Sequence, residues 1–244
     1  MSQVAGRTLD LLEQIASSPQ PLRLMELAER TGIDKSTALR LLAFLEERML
    51  IRREPETRRY VVGPGLLSLS AVALRSSNLP EYAAPHLAAL RDETGETVSF
   101  HLRVGRQRVC VGGAESRHDV RRVLALGEQV PLCLGPSGWV MLAFLPEAEI
   151  RDCLEHEACR GVEHVEERLA EIREHGCIST IGARTAGIGA LAFPIFGTGG
   201  TAIAAMTLAG PADRWNREAM EAAEPAARAV AEHLSSAALT GVAA

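Results

Sequence analysis

The sequence predicts an α+β protein of more than one domain, and three features support this prediction. Residues 21–63 contain two helical apolar patterns joined by a tight turn and followed by a short Arg-rich hairpin. Residues 64–77 have the pattern of an apolar helix, and from residue 97 onward strand and helix patterns alternate. Because the chain has 244 residues, a second domain of roughly 150 residues should follow the N-terminal one.

Three short helices are predicted at the N terminus, because apolar residues recur there at helical spacing. These residues are Leu9, Leu12, Ile15 and Ala16, then Leu24, Leu27, Ala28 and Thr31, then Ala38, Leu41, Leu42, Leu45 and Met49. Gly32 can end the second helix in a left-handed conformation, and Asp34 can cap the third. The first turns of the third helix then carry small hydroxyl and basic residues outside the apolar stripe: Lys35, Ser36, Thr37 and Arg40.

An Arg-rich hairpin is predicted directly after the third helix. Residues 50–53 and 59–62 have strand character, and Pro55 favours a turn between them. A helical pair alone is common in all-α proteins. A helical pair followed by a basic hairpin is typical of a winged helix-turn-helix, whose recognition helix enters the DNA major groove while the wing touches phosphates. The predicted contacts to double-stranded DNA are Arg23, Lys35, Ser36, Thr37, Arg40, Arg58, Arg59 and Tyr60.

The charge balance differs between the two parts of the chain. Residues 1–63 hold 10 basic and 9 acidic residues, whereas the remainder holds 16 basic and 22 acidic residues. This asymmetry fits a DNA-binding segment joined to a segment that does not bind DNA.

The apolar helix over residues 64–77 is predicted to link the domains and to form a dimer contact. Its apolar residues cover more of the helix than one buried stripe: Leu66, Leu67, Leu69, Val72, Ala73 and Leu74. The surplus predicts contact with the same helix of a second chain, and therefore a homodimer or a homotetramer. A break is expected at Asn78-Leu79-Pro80. The predicted domains are therefore 1–63, a linker at 64–79, and 80–244.

Cysteine usage and hydropathy predict a soluble cytoplasmic protein. The five Cys residues, at 110, 133, 153, 159 and 177, contain no C-x-x-C pair. An odd number of Cys without a signal peptide favours reduced thiols. The longest apolar runs, such as 191–196, fall far short of the ~20 residues of a membrane span.

The C-terminal part has α+β patterning. Strands are predicted at 97–104 and 108–114 around a Gly105-Arg106-Gln107 turn, at 120–126, from 176, and at 190–196 and 201–209. Helices are predicted at 81–93, 136–146, 147–156, 163–175 and 216–239, and Pro225 is expected near a kink in the last one.

Nearly the whole chain resembles the IclR-type bacterial transcriptional regulators. The resemblance rests on Arg7-Thr8-Leu9-Asp10-Leu11-Leu12, Lys35-Ser36-Thr37 with Arg40-Leu41-Leu42, Pro55-Glu56-Thr57 with Tyr60 and Gly63, Thr94-Gly95-Glu96-Thr97, and Gly187 ahead of Ala192-Phe193-Pro194-Ile195. It implies an N-terminal winged helix domain, a dimerising helical linker and a C-terminal α/β effector-binding domain similar to the GAF and PAS folds.

The effector segment departs from the family pattern. Relatives that bind small carboxylates commonly have a segment resembling Leu-Pro-Leu-His-Ala-Thr-Ala-x-Gly-Lys-Ala; residues 130–140 keep Gly138 but have Cys133 for the His and Trp139 for the Lys. Pocket positions that hold Asp, Cys and two Ser in relatives fall on Thr180, Ala190, Thr207 and Ala209. The lost polar groups predict a more apolar small organic effector, for example an aromatic or other carboxylic acid, with less dependence on charge pairing.

Three further residues are candidates for the effector site, and two of them have a structural alternative. Trp139 can form part of the pocket wall or pack beneath the loop as core. His101, in a predicted strand, can touch the effector or be an internally hydrogen-bonded strand histidine. Ser137 lies beside Gly138 in the same segment.

Two other patterns suggest chemistry but are weak. Cys153, His156, Cys159 and His164 have zinc-ligand types, but their spacing fits no common zinc knuckle. Gly135-Pro136-Ser137-Gly138 lacks the G-x-S-x-G of a nucleophile elbow.

The sequence therefore predicts a ligand-responsive transcription factor that binds a pseudo-palindromic operator, with no cofactor and no metal. The alternative is an enzyme whose α/β domain does chemistry, with the N-terminal segment as an interaction module. No paired carboxylates, nucleophile with base, or phosphate loop is recognisable in the sequence, so an enzyme is not predicted.

Overall fold

The structure, a computed structural model, describes residues 3–75, 79–159, 162 and 164–240. These residues divide into two units, Met1–Ser76 and Ser77–Ala244. No helix among them is long and apolar enough to cross a membrane.

The first unit contains four helices and a two-stranded sheet within residues 3–75. They are α1 (Gln3–Ser17), α2 (Leu24–Thr31), α3 (Lys35–Glu47), β1 (Ile51–Arg53), β2 (Tyr60–Val62) and α4 (Pro64–Arg75). The core is formed where α1, α2 and α3 meet the hairpin, and its largest fully buried side chains include Leu11, Leu27, Leu42 and Tyr60. This arrangement confirms the predicted helix-turn-helix and wing.

Local chemistry explains the boundaries of α2 and α3. Gly32 ends α2 with a φ of 66°, a left-handed conformation that costs glycine little. Asp34 caps α3, and its carboxylate accepts a hydrogen bond from the Thr37 amide at 2.9 Å. Three predicted core positions are wrong: Leu9 is 56% exposed on the outer side of α1, Ala16 on the same helix is exposed too, and Met49 is 61% exposed because α3 ends before it.

The wing is a short antiparallel hairpin. Ile51 pairs with Val62 and Arg53 with Tyr60. An isolated bridge between Leu22 and Tyr60 joins the hairpin to the segment before α2. The wing is therefore fixed by backbone hydrogen bonds to the segment before α2, with Tyr60 at the junction.

Helix α4, the predicted linker, begins at Pro64 as expected, and its last described residue is Arg75. Leu67 and Leu69 are 66% and 60% exposed, respectively. The predicted break at Asn78 falls outside the described residues. The next helix, α5, begins at Leu79, two residues before the predicted start.

The second unit is built on a six-stranded antiparallel sheet with the order β5-β4-β3-β8-β7-β6. The strands are β3 (Thr97–Val104), β4 (Gln107–Ala114), β5 (Gln129–Pro131), β6 (Ile178–Ile181), β7 (Ile188–Phe196) and β8 (Ala202–Pro211). The helices are α5 (Leu79–Thr94), α6 (Pro136–Leu142), α7 (Glu147–Leu154), α8 (Val165–His175) and α9 (Arg217–Thr240).

Two hydrophobic clusters flank this sheet. One joins α5 and α9 to strand residues such as Phe100 and Phe193. The other joins α6, α7 and α8 to Ile178, Ala192 and Ala205. Helix α9 continues through Pro225. The predicted mixed α+β architecture is confirmed.

One predicted strand, at residues 120–126, is wrong. Residues 115–128 form an irregular connection between β4 and β5, which we call the crossing segment. Within 120–126 its backbone bonds to side chains: the Arg122 carbonyl accepts from the Thr97 hydroxyl, and the Leu124 amide donates to Glu115. Its backbone hydrogen bonds to β4 form at Gly127 and Glu128, both with Cys110. Val120 and Leu126 are 71% and 67% exposed, so their apolar character does not mark a buried strand.

The expectation of five reduced thiols is also wrong. Cys133 and Cys159 form a disulfide whose Cα atoms are 5.7 Å apart. Cys110, Cys153 and Cys177 are free and buried. The bridge joins the β5–α6 loop to a short 3₁₀ helix, Glu157–Cys159, that follows α7.

Candidate functional site

The first turn of α3 is an exposed polar surface organised by Asp34. The Asp34 carboxylate accepts from the Ser36 hydroxyl at 2.7 Å as well as from the Thr37 amide. These hydrogen bonds, that from Ser36 first, hold the pKa of Asp34 well below its usual range. Lys35, Ser36 and Arg40 are exposed and Thr37 is half-buried. The face predicted to enter a DNA groove is therefore accessible.

The arginines of the wing have different environments. Arg58 is exposed at the tip, with a φ of 55°. Arg59 points back to the helices: its guanidinium donates to the Pro21 carbonyl at 2.6 Å and lies 3.6 Å from the Glu26 carboxylate. Arg52, which the sequence analysis did not select, is exposed on β1.

The remaining two predicted DNA contacts also differ. Arg23 is exposed immediately before α2, where its amide donates to Glu26 at 2.6 Å. Tyr60 is only 1% exposed and its hydroxyl is buried. The prediction of Tyr60 as a DNA contact is wrong, because its ring is part of the hydrophobic core. The sequence does not distinguish a buried strand tyrosine from an exposed one, because the bridge from Tyr60 to Leu22 leaves no local pattern.

The second unit contains a cavity of about 80 Å³ bounded by the sheet and the crossing segment. Six of the nine predicted effector residues line it: His101, Ser137, Thr180, Ala190, Thr207 and Ala209. Charged residues that the sequence analysis missed line it too: Arg108, Arg122, Glu128 and Arg184. The expectation of a pocket with little charge is therefore wrong.

Arg108 is the most unusual residue of this cavity. It is only 2% exposed, and burial lowers the pKa of its guanidinium to about 10, which leaves it protonated at neutral pH. In the part of the chain that the structure describes, no carboxylate forms an ion pair with Arg108, and its Nε has no hydrogen-bond partner. A buried charge without a counterion is costly. The cavity is therefore suited to an anion.

His101 fixes the position of the Arg108 side chain. The Arg108 Nη1 donates to His101 Nδ1 at 3.1 Å, and His101 Nε2 in turn donates to the Ser99 hydroxyl at 3.0 Å. Ser99 then donates to the Thr207 carbonyl. Burial first, and the Arg108 charge second, lower the pKa of His101 to about 3. His101 is thus a neutral acceptor that orients the guanidinium.

The other three predicted effector residues do not line this cavity. Trp139 is 5% exposed in the core; its Nε1 donates to the Cys133 carbonyl at 2.6 Å, and the Arg168 guanidinium lies 3.9 Å above its ring. A Cβ on Gly138 would lie 2.3 Å from the Leu132 carbonyl oxygen, so this close approach requires glycine. Cys133 is bound in the disulfide. These residues shape the loop before α6.

The zinc-like pattern does not assemble. Cys159 is paired with Cys133, and His164 contacts Glu167 instead. The described residues contain no group of three or more His, Cys, Asp or Glu side chains that could hold a metal ion.

A helix-turn-helix with an exposed first turn and a wing, combined in one chain with a polar cavity in a second unit, defines a ligand-responsive DNA-binding regulator. Residues 4–55 match the IclR helix-turn-helix domain. Residues 71–236 match the C-terminal domain of the bacterial transcriptional regulator IclR. The chain belongs to the IclR family of bacterial transcriptional regulators. This family consists of regulators and not of enzymes, so the enzyme alternative is not favoured.

Individual relatives agree with this assignment. The transcriptional repressor IclR of Escherichia coli (strain K12) is 28% identical over 222 residues, which cover 87% of this chain and 81% of the relative. The regulator BhcR of Paracoccus denitrificans (strain Pd 1222) is 28% identical over 237 residues, covering 94% and 85%.

Solved structures share the fold. An IclR transcriptional regulator from Alicyclobacillus acidocaldarius superposes with a TM-score of 0.81 at 28% identity, covering 96% of each chain. An IclR homologue from Microbacterium hydrocarbonoxydans, crystallised with 4-hydroxybenzoate, superposes with a TM-score of 0.77 at 18% identity, covering 96% of this chain and 100% of the other.

Proposed function

We propose that this regulator binds a pseudo-palindromic operator as a homodimer or homotetramer in the cytoplasm, and that a small organic carboxylate held by Arg108 controls its affinity for DNA. The base-reading residues in this proposal are Lys35, Ser36, Thr37 and Arg40. Arg23, Arg52 and Arg58 contact phosphates. These residues lie on α3, in the segment before α2 and on the wing. All but Thr37 are exposed, and Thr37 is half-buried, which supports the assignment.

The observation that carries the effector proposal is the buried, unpaired charge of Arg108. A carboxylate would supply the missing counterion and accept from the free Nε, and charge-assisted hydrogen bonds of this kind are the stronger ones in proteins. The Thr207 hydroxyl is a second buried group without a partner among the described residues, and it lines the same cavity. A ligand with one carboxylate and an adjacent polar atom would satisfy both groups.

The size of the cavity favours a short acid. An apolar cavity of ~150 Å³ is known to admit benzene, whereas this cavity measures about 80 Å³. The small side chains of Ala190 and Ala209 leave room for an acid of about two to four carbon atoms. An aromatic acid would require the crossing segment to move.

The test is calorimetric titration of the full-length protein with propionate, pyruvate and 4-hydroxybenzoate. Arg108→Gln should weaken binding of the short acids roughly 10- to 100-fold, because it removes a charged hydrogen bond worth about 1.5–3 kcal/mol. Arg106→Gln is the matched control. Arg106 lies two residues away in the same hairpin, where it pairs with Asp152 on the surface.

A gel shift with DNA from upstream of its own gene completes the test. The acid that binds should change the affinity of the wild type and of Arg106→Gln for this DNA, but not that of Arg108→Gln. Arg108→Gln should fold, because it replaces an uncompensated buried charge by a neutral amide. Equal acid binding by Arg108→Gln and the wild type would disprove the role of Arg108. Tighter binding of 4-hydroxybenzoate than of the short acids would disprove the size argument.

A further inference from the structure

The Cys133–Cys159 disulfide lies at the base of the loop that leads into the effector cavity. Cys133 follows β5, and Pro136 and Ser137, three and four residues later, line that cavity. The bridge spans 26 residues and ties this loop to the 3₁₀ helix after α7. It is therefore a covalent constraint on one wall of the cavity.

The loop around Cys133 is a tightly coupled unit. The Cys133 carbonyl accepts from the Trp139 indole, and Gly138 packs directly on the Leu132 carbonyl. A displacement of Cys133 is therefore transmitted to the start of α6, where Ser137 is located. None of these contacts reaches the far side of the cavity, where Arg108 and His101 lie on β4 and β3.

Both cysteines of the bridge are buried, Cys133 at 0% and Cys159 at 6% exposed, so a reductant reaches the sulfurs when the loop moves. Cys133 lines a second, open cavity of about 780 Å³, together with the basic residues Arg168, Arg184 and Arg217. Arginine side chains stabilise a thiolate, which is the leaving group when a disulfide is reduced. The free thiols Cys110, Cys153 and Cys177 are buried as well, and burial raises the pKa of each of them.

We propose that Cys133–Cys159 is a redox modification site, and that its reduction by a dithiol loosens the β5–α6 loop and weakens effector binding. The coupling to the effector rests on the function proposed above, whereas the effect on the loop does not. A regulator of bacterial transcription works in a compartment kept reducing, where protein disulfides are usually transient, catalytic or redox-sensing.

The chemistry is thiol–disulfide exchange. One thiolate of the dithiol attacks a sulfur of the bridge, the Cys133–Cys159 bond breaks, and a mixed disulfide forms while one cysteine leaves as a thiolate and takes up a proton. The second thiol of the reductant then displaces the other cysteine. Two electrons and two protons thus reach Cys133 and Cys159, and the dithiol leaves as its own disulfide. The oxidised dithiol reverses the reaction.

The effector and the disulfide are also linked thermodynamically. If the oxidised protein binds the effector more tightly, the effector must make the disulfide harder to reduce by the same factor. A tenfold difference in affinity corresponds to about 30 mV in the midpoint potential of this two-electron couple. The structure thus predicts an effector signal and a redox signal that reinforce each other.

The experiment uses the full-length protein, oxidised or reduced with dithiothreitol. Alkylation after unfolding should modify three cysteines in the oxidised protein and all five in the reduced protein. Hydrogen exchange of peptides covering residues 132–142 should be about fivefold faster or more after reduction, while peptides from β3 and β8 stay unchanged. This readout needs no effector.

Matched variants separate the bridge from general thiol effects. Cys133→Ser/Cys159→Ser should exchange like the reduced wild type under both conditions. Cys153→Ser, which alters a free cysteine in the same core cluster, should keep the response to dithiothreitol. The oxidised wild type should bind the probe propionate at least about five times more tightly than the reduced protein does.

Five modified cysteines in the oxidised sample, or equal exchange of residues 132–142 in both states, would overturn the proposal. Faster exchange with unchanged propionate affinity would overturn the coupling to the effector. If propionate does not bind either form, the function proposed above fails, while the exchange data still decide whether the loop responds to reduction. Chemical reduction of the wild type decides the matter even if the double variant does not fold.

Discussion

Arg108 and His101 constrain each other's protonation. The Arg108 guanidinium can donate to His101 Nδ1 only while that nitrogen is unprotonated. Burial of the ring, and after it the positive charge that the same contact places beside the ring, lower the pKa of His101 to about 3. An effector bound to Arg108 would therefore find a receptor of constant charge over the physiological pH range.

This coupling predicts a stability difference at acid pH. Unfolded His101 titrates near 6.5, so between about pH 3 and 6.5 the unfolded chain binds one more proton than the folded chain does. The contribution of His101 to stability therefore falls as the pH falls through this window. For each unit by which the pH falls within this window, the free energy of unfolding of the wild type should decrease by about 1.4 kcal/mol relative to that of His101→Gln.

Urea unfolding of both proteins at several pH values between about 4 and 6.5 measures this difference. His175→Gln is the control, because His175 is exposed on α8 and should leave the slope of the wild type unchanged. A difference between the wild type and His101→Gln that does not change with pH would contradict a buried neutral His101.

At the scale of elements, the wing shows how neighbouring arginines divide their roles. Arg59 holds the hairpin against the segment before α2, while Arg58 projects from the tip. The two arginines are adjacent in the sequence, and the fold gives them different environments. The wing is therefore both a structural hairpin and a surface available to DNA.

This division predicts different effects of two alanine substitutions. Arg58→Ala should weaken specific and non-specific DNA binding alike, and should reduce the slope of log K against log salt by about 1, because one phosphate contact is lost. Arg59→Ala should mainly lower stability, by about 1 kcal/mol, because it removes an internal hydrogen bond. Salt titrations of DNA binding by fluorescence anisotropy, together with thermal melts, measure both effects. If Arg59→Ala alone reduced the salt slope, the two roles would be reversed.

The sequence predicted the structure well where apolar residues repeat at a regular spacing along a whole helix. Amphipathic spacing, Gly32 and the Asp34 cap were sufficient to predict α2 and α3, because their stabilising interactions are local. It failed for the crossing segment, whose apolar residues suggest a strand but whose backbone is bonded by Thr97 and Glu115. Such side-chain partners have no periodic signature.

At the scale of the whole molecule, contacts between residues far apart in the chain could not be predicted from the sequence. The Cys133–Cys159 bridge was missed because the connectivity of cysteines cannot be deduced from spacing alone. Arg108 was missed because alternating strand patterns do not distinguish a buried arginine from an exposed one. Four of the six predicted residues that line the cavity were selected through family resemblance, but their charged neighbours were not.

The exposed leucines of α4 lead to a prediction about assembly. Leu67 and Leu69 are 66% and 60% exposed, which suits a contact with a second copy of the chain. Leu67→Glu/Leu69→Glu should therefore shift the protein toward the monomer in sedimentation velocity, and should weaken binding to a two-half-site operator more than to a single half-site.

Val104→Glu is the control for added surface charge, since Val104 is 60% exposed on the second unit. An unchanged sedimentation coefficient for the α4 variant would show that these leucines do not form the contact between subunits.

The crossing segment also determines how fast the regulator can respond. It covers the cavity and is held by two arginines. Arg214, which forms an ion pair with Glu96, donates to the Val120 carbonyl, and Arg184 forms an ion pair with Glu128. An acid too large for the cavity would enter or leave only when this cover opens, so we expect the lifetime of these contacts to set its association and dissociation rates. After such an acid is removed from solution, the protein would therefore keep it bound for as long as the cover stays closed.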